Sequence, residues 1–305
     1  MPHLITTLGP KRQNELGRIL PHEHVFVDLR TWDQPGYGEA DPDDVARLMA
    51  PEIARAAAHG VTAIVEPSGV GVGLRADILL AVSRATDMPI VVPTGVYREP
   101  WMPPWVHEAT ETALRDWMIG ELTGEIADTG VQAGWIKVSA GDEGITPAEA
   151  KLLRAAGAAA AATGATVGSH TARGRVALEQ LAILTNAGAS PTQFIWIHTQ
   201  MEPDTAIHHE FAAQGGWIEY DCIGEPGSDA RYVALIGQAI AAGFARQLLI
   251  SHDRGWYDPA QSGGDAPRPY TYLFETFLPI LAAEGIPDTS IEAIMRENPF
   301  RAFSR

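Results

Sequence analysis

The chain has 305 residues, of which 46% are hydrophobic and 20% charged, a composition typical of a globular protein with an extensive apolar core. It carries 22 basic and 38 acidic residues, and the formal net charge of −16 argues against a nucleic-acid partner. Cys222 is the only cysteine, which excludes an intrachain disulfide, and no segment is long and apolar enough to span a membrane.

Short β-branched runs alternate with longer amphipathic segments along the whole chain. Several runs, such as Phe194–Ile197, are apolar at consecutive positions, which is typical of parallel strands buried on both faces. The predicted strands are 19–27, 61–66, 90–94, 134–139, 165–170, 194–199, 217–221 and 248–253. The predicted helices include 43–59, 108–128, 175–186 and 230–243, and a last one over 291–303.

Eight strands that alternate with helices favour one domain over residues 1–305, folded as an α/β protein of the (β/α)₈ TIM barrel type. A doubly wound sheet is the alternative that strand counting leaves open. The C-terminal helix would pack on the barrel. The longest irregular stretch, 254–269, follows the last strand, where barrels carry their specificity loops.

The sharpest local feature is His22-Glu23-His24 in the first predicted strand. Residues two apart on a strand point to the same face, so both imidazoles would enter the mouth of the barrel together. Paired histidines suit zinc, cobalt, manganese or iron. Two rim histidines bonded to backbone carbonyls are the alternative, and the pair by itself does not separate the two interpretations.

Further ionisable residues end other predicted strands. Lys137 lies in Trp135-Ile-Lys-Val, while His170, His198 and Asp253 each stand at the end of a later strand. Barrel enzymes assemble their active sites at the carboxyl ends of the strands. Buried strand ends otherwise favour apolar residues, so several ionisable groups converging there predict a metal site.

These motifs, taken in order, are similar to those of a known family. The His-Glu-His opening, Ile-Lys-Val, Ser-His, Ile-His, Ser-His-Asp and the terminal Glu297-Asn-Pro resemble the phosphotriesterase family of the amidohydrolase superfamily, which includes lactonases. The resemblance covers nearly the whole chain. It implies a hydrolase with two divalent cations, zinc first, with cobalt, manganese or iron as alternatives. Because relatives are commonly homodimers, a homodimer in the cytoplasm that acts on a small molecule is expected.

The resemblance also implies residue roles. Six side chains would hold the cations: His22, His24 and Asp253 for one, His170 and His198 for the other, and an N-carboxylated Lys137 that bridges both beside a hydroxide. Two cations would make water nucleophilic at neutral pH and polarise the scissile bond. Asp253 would accept the proton of that water.

Two departures from the family's pattern bear on the substrate. Phosphotriesterases and lactonases carry His or Arg after the seventh-strand aspartate, whereas Cys222 follows Asp221 here. The acidic residue expected soon after His198 is displaced to Glu202. We therefore predict a lactonase or carboxylic esterase that uses hydroxide on the metals, with phosphotriester or N-acyl amide hydrolysis as alternatives.

Three residues are predicted to contact the substrate. Tyr97 matches a tyrosine that lactonases of the family place over the metals, and Arg254 and Trp256 lie in the loop after the last strand. Trp256 would serve equally well in packing its own loop, and arginines such as Arg254 are more often ordinary surface charges.

Several of these residues, and some others, are open to a different interpretation. Lys137 would also suit a surface ion pair or a Schiff-base aldolase, but an aldolase leaves four strand-end histidines unexplained. A non-catalytic binding barrel would be expected to have lost ligands, and all six are present. His252 is expected to pack beside the site, and His208 to be solvated.

Overall fold

A closed parallel barrel forms the centre of the molecule, in a computed structural model that describes residues 1–305. The strands are β1 (Arg18–Leu20), β2 (His24–Phe26), β3 (Val61–Val65), β4 (Ile90–Val91), β5 (Pro93–Thr94), β6 (Trp135–Ser139), β7 (Val167–His170), β8 (Phe194–Ile197), β9 (Trp217–Tyr220), β10 (Leu248–Ile250) and β11 (Gly255–Tyr257). They pair in the orders β1-β3-β4 and β5-β6-β7-β8-β9-β10, with β4 and β5 as two halves of one strand.

The first and last strands meet at the mouth of the barrel. The backbone N–H of Asp253 donates to the carbonyl of His22 at 3.2 Å, and His24 N donates to Arg254 O at 2.8 Å. The predicted first strand, 19–27, is interrupted at residues 21–23, and its second part, β2, pairs with β11. The TIM barrel predicted from the sequence is therefore confirmed, and the doubly wound sheet is excluded.

Helices surround the barrel. They are α1 (Pro42–Ala58), α2 (Ala76–Thr86), α3 (Pro104–Glu108), α4 (Glu111–Thr123), α5 (Pro147–Thr163), α6 (Gly174–Asn186), α7 (Thr205–Ala213), α8 (Asp229–Ala241), α9 (Leu278–Ala283), α10 (Asp288–Glu292) and α11 (Asn298–Phe303). π-Helical turns over Leu273–Phe277 and Ala293–Glu297 each come just before a proline, whose missing N–H and ring disturb the regular α-helical pattern. None of the helices combines the length and apolar character that crossing a bilayer requires.

Two apolar clusters fill the interior. The larger packs the strands against the outer helices, and the smaller lies among inward-facing strand residues and α11. In the smaller cluster the ring of Phe303 meets that of Trp135 edge-on, with centroids 5.1 Å apart. Lys137, two residues beyond Trp135, shares its inward face, and its Nζ lies 5.9 Å from the Trp135 ring centre. The inner cluster thus forms the apolar floor of the site.

His208 is buried, so the expectation that it is solvated was wrong. Its Nδ1 lies 3.0 Å from Tyr220 Oη and its Nε2 lies 3.0 Å from Glu202 O. The helical spacing to Phe211 and Ala212, which are also buried, places His208 on the apolar face of α7. Burial penalises the charged ring and lowers the pKa of His208 to about 4.

The acid stability of the protein should depend on His208. Because its folded-state pKa of about 4 is below the ordinary 6.5, the unfolded chain binds more protons between these values. The free energy of unfolding therefore falls as the pH drops from 6.5 to 4, by about 3 kcal/mol from this group. Urea unfolding across this range should show that the free energy of unfolding falls less steeply with decreasing pH in His208→Gln than in the wild type. His107→Gln, with a ring 41% exposed, should keep the wild-type slope, and equal slopes in both variants would contradict the assignment.

Candidate active site

A cavity of about 130 Å³ opens at the carboxyl ends of the barrel strands. Its lining contains eight of the nine predicted site residues: His22, His24, Tyr97, Lys137, His170, His198, Asp253 and Trp256. The rest of the wall is apolar, from Val27, Leu29, Pro67 and Val72. The structure therefore brings together all six side chains that the sequence predicts as metal ligands.

Asp253 lies between the two histidines of the first strand. Its Oδ1 is 3.1 Å from His24 Nε2 and 3.5 Å from His22 Nε2. This oxygen is buried and makes no hydrogen bond of normal geometry. Burial opposes a charge on His24, but its contacts with Asp253 and Glu66 outweigh that and raise its pKa to about 9. Two ring nitrogens and one carboxylate oxygen thus face one another at 3.1–3.5 Å.

Three of the histidines are held at Nδ1 by a buried partner. The partners are Glu219 for His22 at 2.6 Å, Ser68 for His24 at 2.8 Å and Asp221 for His198 at 2.6 Å. The Ser68 hydroxyl already donates to a backbone carbonyl, and the pKa of Asp221 is lowered, so its ionised carboxylate can only accept; Nδ1 therefore carries a proton in His24 and His198. Nε2 is then the nitrogen that each ring presents to the cavity, and a cation bound there would displace any proton that it carries.

Lys137 and His170 occupy the other side of the cavity. Lys137 is only 3% exposed, and burial lowers its pKa even though Glu219 and Asp253 act in the opposite direction. Burial also lowers the pKa of His170 well below its ordinary value. The His170 ring lies 4.3 Å from that of His198, between centroids, so two further imidazoles lie side by side next to the lysine.

The chain turns sharply where three consecutive strands end. His198, Cys222 and Asp253 have φ angles of 64°, 61° and 55°, in the left-handed region that side chains other than glycine rarely adopt. Such conformations cost on the order of 1–3 kcal/mol each and are concentrated at functional sites. Asp221 helps to hold the first of these turns, because its Oδ2 accepts from His198 N at 3.0 Å.

The two departures from the family pattern lie around Asp221. Cys222 Sγ is 3.3 Å from Asp221 Oδ1 and 3.7 Å from Asp253 Oδ2. Burial, reinforced by both carboxylates, raises the pKa of this thiol, which therefore stays protonated. Gln200 Nε2 donates to Asp221 Oδ1 at 2.6 Å, whereas Glu202 accepts from Gly174 N away from the cavity.

Arg254 does not line the cavity, contrary to expectation. Its guanidinium donates to Gly224 O and lies 5.9 Å from the ring centre of Tyr272, so it holds the loop after β9. Trp256 does line the cavity, with its ring 5.5 Å from His24 and the Arg268 guanidinium 4.5 Å away. Tyr97 meets the His170 ring edge-on, with centroids 5.3 Å apart.

Sequence reasoning missed the buried carboxylates that support the site. Glu23, Glu66 and Glu219 are all inaccessible to solvent, and each contacts a predicted ligand or the backbone beside one. An acidic residue inside an apolar strand run is the signal that could have identified them. His252 packs beside the site as expected, with Nδ1 2.6 Å from Glu23 Oε1.

Comparisons with known proteins agree with this geometry. The model described as "Phosphotriesterase family" matches residues 2–303. The chain belongs to the phosphotriesterase family. It is 30% identical to the phosphotriesterase homology protein of Mycobacterium tuberculosis (strain H37Rv), over 100% of this chain and 98% of that protein. It is 29% identical to the aryldialkylphosphatase of Saccharolobus solfataricus, over 95% and 96%.

A solved structure of the same family has a similar fold. The crystal structure of the Escherichia coli phosphotriesterase homology protein, complexed with phosphate in its active site, matches with a TM-score of 0.81 at 25% identity. The match covers 94% of this chain and 98% of that one. The protein is therefore a hydrolase of the phosphotriesterase family with a cluster of candidate metal ligands at the mouth of a TIM barrel.

The position of Lys137 should depend on Gly95. Gly95 has a φ of +105°, and a Cβ there would overlap the backbone carbonyl of Lys137. Gly243, with a φ of +89° and nothing within 4 Å, provides the control. Gly243→Ala should lower the free energy of unfolding by about 1–2 kcal/mol. Gly95→Ala should lower it by about 1–3 kcal/mol more. Urea unfolding tests this, and equal losses would show that the close approach is unimportant.

Proposed function

We propose that this protein is a binuclear metal-dependent hydrolase that opens lactones or related carboxylic esters. The observation that carries the proposal is the shared cavity of six nitrogen and oxygen donors. His22, His24 and Asp253 would hold one cation, His170 and His198 the other, and an N-carboxylated Lys137 would bridge both. When bound, the cations lower the pKa of water and polarise the carbonyl group of the substrate.

The donor set fits cations of this kind. Imidazole nitrogens with carboxylate oxygens suit zinc, cobalt, manganese or iron, and zinc is the first choice. A buried carboxylate oxygen without a hydrogen bond, such as Asp253 Oδ1, is costly unless another group compensates it. The Nδ1 partners of His22, His24 and His198 supply the outer contacts that keep imidazole ligands oriented.

Carboxylation of Lys137 is supported by its surroundings. A neutral amine reacts with CO₂, and burial lowers the pKa of this lysine, so the neutral form is more accessible than in water. A bond forms between Nζ and the carbon of CO₂ while one proton leaves to solvent. The product is an anion with two oxygens, which could bridge two cations as a free ammonium could not.

The chain's own residues supply the proton transfers and the substrate pocket. Asp253 accepts a proton from the water whose oxygen bonds to the lactone carbonyl carbon. It returns that proton to the ring oxygen as the C–O bond breaks, and a hydroxy acid is released. Burial raises the pKa of Tyr97 to about 12, so its hydroxyl stays protonated and is available to the substrate as a donor. The apolar wall around Trp256 suits an alkyl chain.

Cys222 favours a carboxylic ester over a phosphotriester. An imidazole or guanidinium at this place could take part in proton transfer or charge stabilisation beside Asp221 and Asp253. A thiol whose pKa is raised contributes only a weak hydrogen bond. Phosphotriester hydrolysis and N-acyl amide hydrolysis by the same residues remain the alternatives that a comparison of substrates would distinguish.

Removal of the cations should abolish turnover. Elemental analysis of the purified protein should give two divalent cations per chain, and dialysis against a chelator should remove both activity and metal. Added zinc or cobalt should restore hydrolysis. In a panel of lactones, aryl esters, a phosphotriester and an N-acyl amide, the lactones should have the highest kcat/KM. A chelator-resistant enzyme that also gives a substrate adduct trapped by borohydride on Lys137 would instead indicate an aldolase.

Substitution of the donors should remove activity without unfolding the protein. We expect Asp253→Asn to lower kcat by about 10²–10⁴-fold, the contribution typical of general acid–base catalysis. Lys137→Ala should lose turnover and regain part of it when a small carboxylate such as propionate is added, because the carboxylate can replace the bridge. Circular dichroism should show an unchanged fold in both variants. Full turnover by Lys137→Ala without added carboxylate would contradict the bridge.

A further inference from the structure

Glu23 stands between two predicted ligands but faces the opposite way. By strand alternation His22 and His24 face the cavity, whereas the Glu23 carboxylate is inaccessible to solvent and packs against the end of the last strand. It accepts four hydrogen bonds. On Oε1 the donors are Ser251 Oγ at 2.8 Å, His252 N at 2.9 Å and His252 Nδ1 at 2.6 Å, and on Oε2 the donor is Arg254 N at 2.9 Å.

These donors lie on both sides of Asp253. The Glu23 carboxylate binds the backbone N–H of residue 252 with one oxygen and that of residue 254 with the other. Asp253 itself has a φ of 55°, a conformation that neighbouring contacts must maintain. Its own N–H donates to His22 O at 3.2 Å. The backbone of Asp253 is therefore fixed to the strand that carries His22 and His24.

The contact also replaces a missing part of the sheet. β1 ends at Leu20 and β2 begins at His24, so residues 21–23 belong to no strand. At this gap the buried side chain of Glu23 accepts backbone N–H groups that a continuous strand would pair through its carbonyls. Ser251 Oγ extends the link, because it donates to Glu23 and accepts from His22 N at 3.1 Å.

We propose that Glu23 is the positioning residue that sets the distance of Asp253 from His22 and His24, and with it the affinity of the cation that these three would share. The inference rests on the proposed function, since it gives Glu23 a task only if Asp253 is a ligand. Glu23 touches neither the cavity nor the reacting atoms, and it acts through the backbone on either side of Asp253.

Glutamine is the informative replacement because it has nearly the same shape. An ionised carboxylate has acceptors on both oxygens, whereas the glutamine amide has one oxygen and one NH₂. If the oxygen stays with Ser251 and His252, the NH₂ faces the N–H of Arg254, and that donor loses its acceptor. Asp253 would then be held from one side only.

The experiment compares cation binding by metal-free wild type and Glu23→Gln. Titration with cobalt(II), followed by its visible absorption and by competition with a chelator, should give two sites in both proteins. One site should weaken by about 10–100-fold in the variant, the usual effect of losing an outer contact to a ligand. Turnover should show a lower kcat with little change in KM. Unchanged affinity of both sites would overturn the inference and leave the proposed function intact.

A matched control separates positioning from simple stability. Glu149 is also buried, and its carboxylate accepts the backbone N–H of Thr146 at 3.0 Å in the cap of α5. Glu149→Gln should lower the free energy of unfolding and leave cobalt affinity unchanged. If Glu149→Gln lost as much cobalt affinity as Glu23→Gln, the effect would be one of general destabilisation, and the proposal would be contradicted.

Ser251→Ala provides a second test that leaves the buried charge in place. It removes one donor to Glu23 and one acceptor for His22, so cobalt affinity should fall by roughly two- to tenfold, the usual worth of a hydrogen bond. This variant keeps the proposal testable if Glu23→Gln does not fold, because unchanged affinity would contradict it. A wild-type protein that binds no cation would overturn this inference and the proposed function together.

Discussion

The hydrogen bonds accepted by buried carboxylates at the mouth of the barrel are the interaction on which the rest of the site depends. Glu219 and Asp221 fix the rings of His22 and His198. Glu66 accepts a hydrogen bond from the backbone N–H of Val25, the residue after His24. Moving a carboxylate out of water is expensive unless its oxygens are satisfied; Asp221 accepts hydrogen bonds on both oxygens, whereas Glu219 Oε2 is left without a partner. Several of the donors are backbone N–H groups at the strand ends, such as those of Val25 and His198, which ties the geometry of the site to that of the barrel.

Carboxylates outnumber the lysine and arginine side chains around the cavity. Four buried carboxylates, of Glu23, Glu66, Glu219 and Asp221, lie behind the cavity, Asp253 lines it, and Lys137 is the one lysine in its lining. Burial and Asp221 raise the pKa of Glu219 well above its usual range, and contacts with Asp253 and Glu66 outweigh burial and raise that of His24 to about 9. Two bound cations would relieve both effects, and carboxylation of the lysine would balance part of their charge.

The sequence predicted the barrel and the residues that meet at its mouth, because both follow from local rules. Strand periodicity and the position of a polar residue at each strand end locate His170 and His198 without knowledge of packing. Arg254 was misplaced because a long side chain on a loop can reach in several directions, and here Gly224 and Tyr272 determine which. Glu23 was overlooked because its partners lie more than 200 residues away along the chain. Such pairings arise only when the barrel closes, and no local pattern contains them.

The backbone at Cys222 is held independently of the Cys222 side chain. The left-handed turn at Cys222 is held by contacts that do not involve its side chain: Tyr232 Oη donates to Asp221 O at 2.5 Å, and Ile223 N donates to Ser251 O at 3.2 Å. The Cys222 side chain meanwhile lies within 4 Å of both Asp221 and Asp253. A replacement there would change the polar groups beside Asp253, the proposed proton acceptor, and leave the backbone in place. Substrate preference within such a fold can therefore depend on a residue that contributes little to folding.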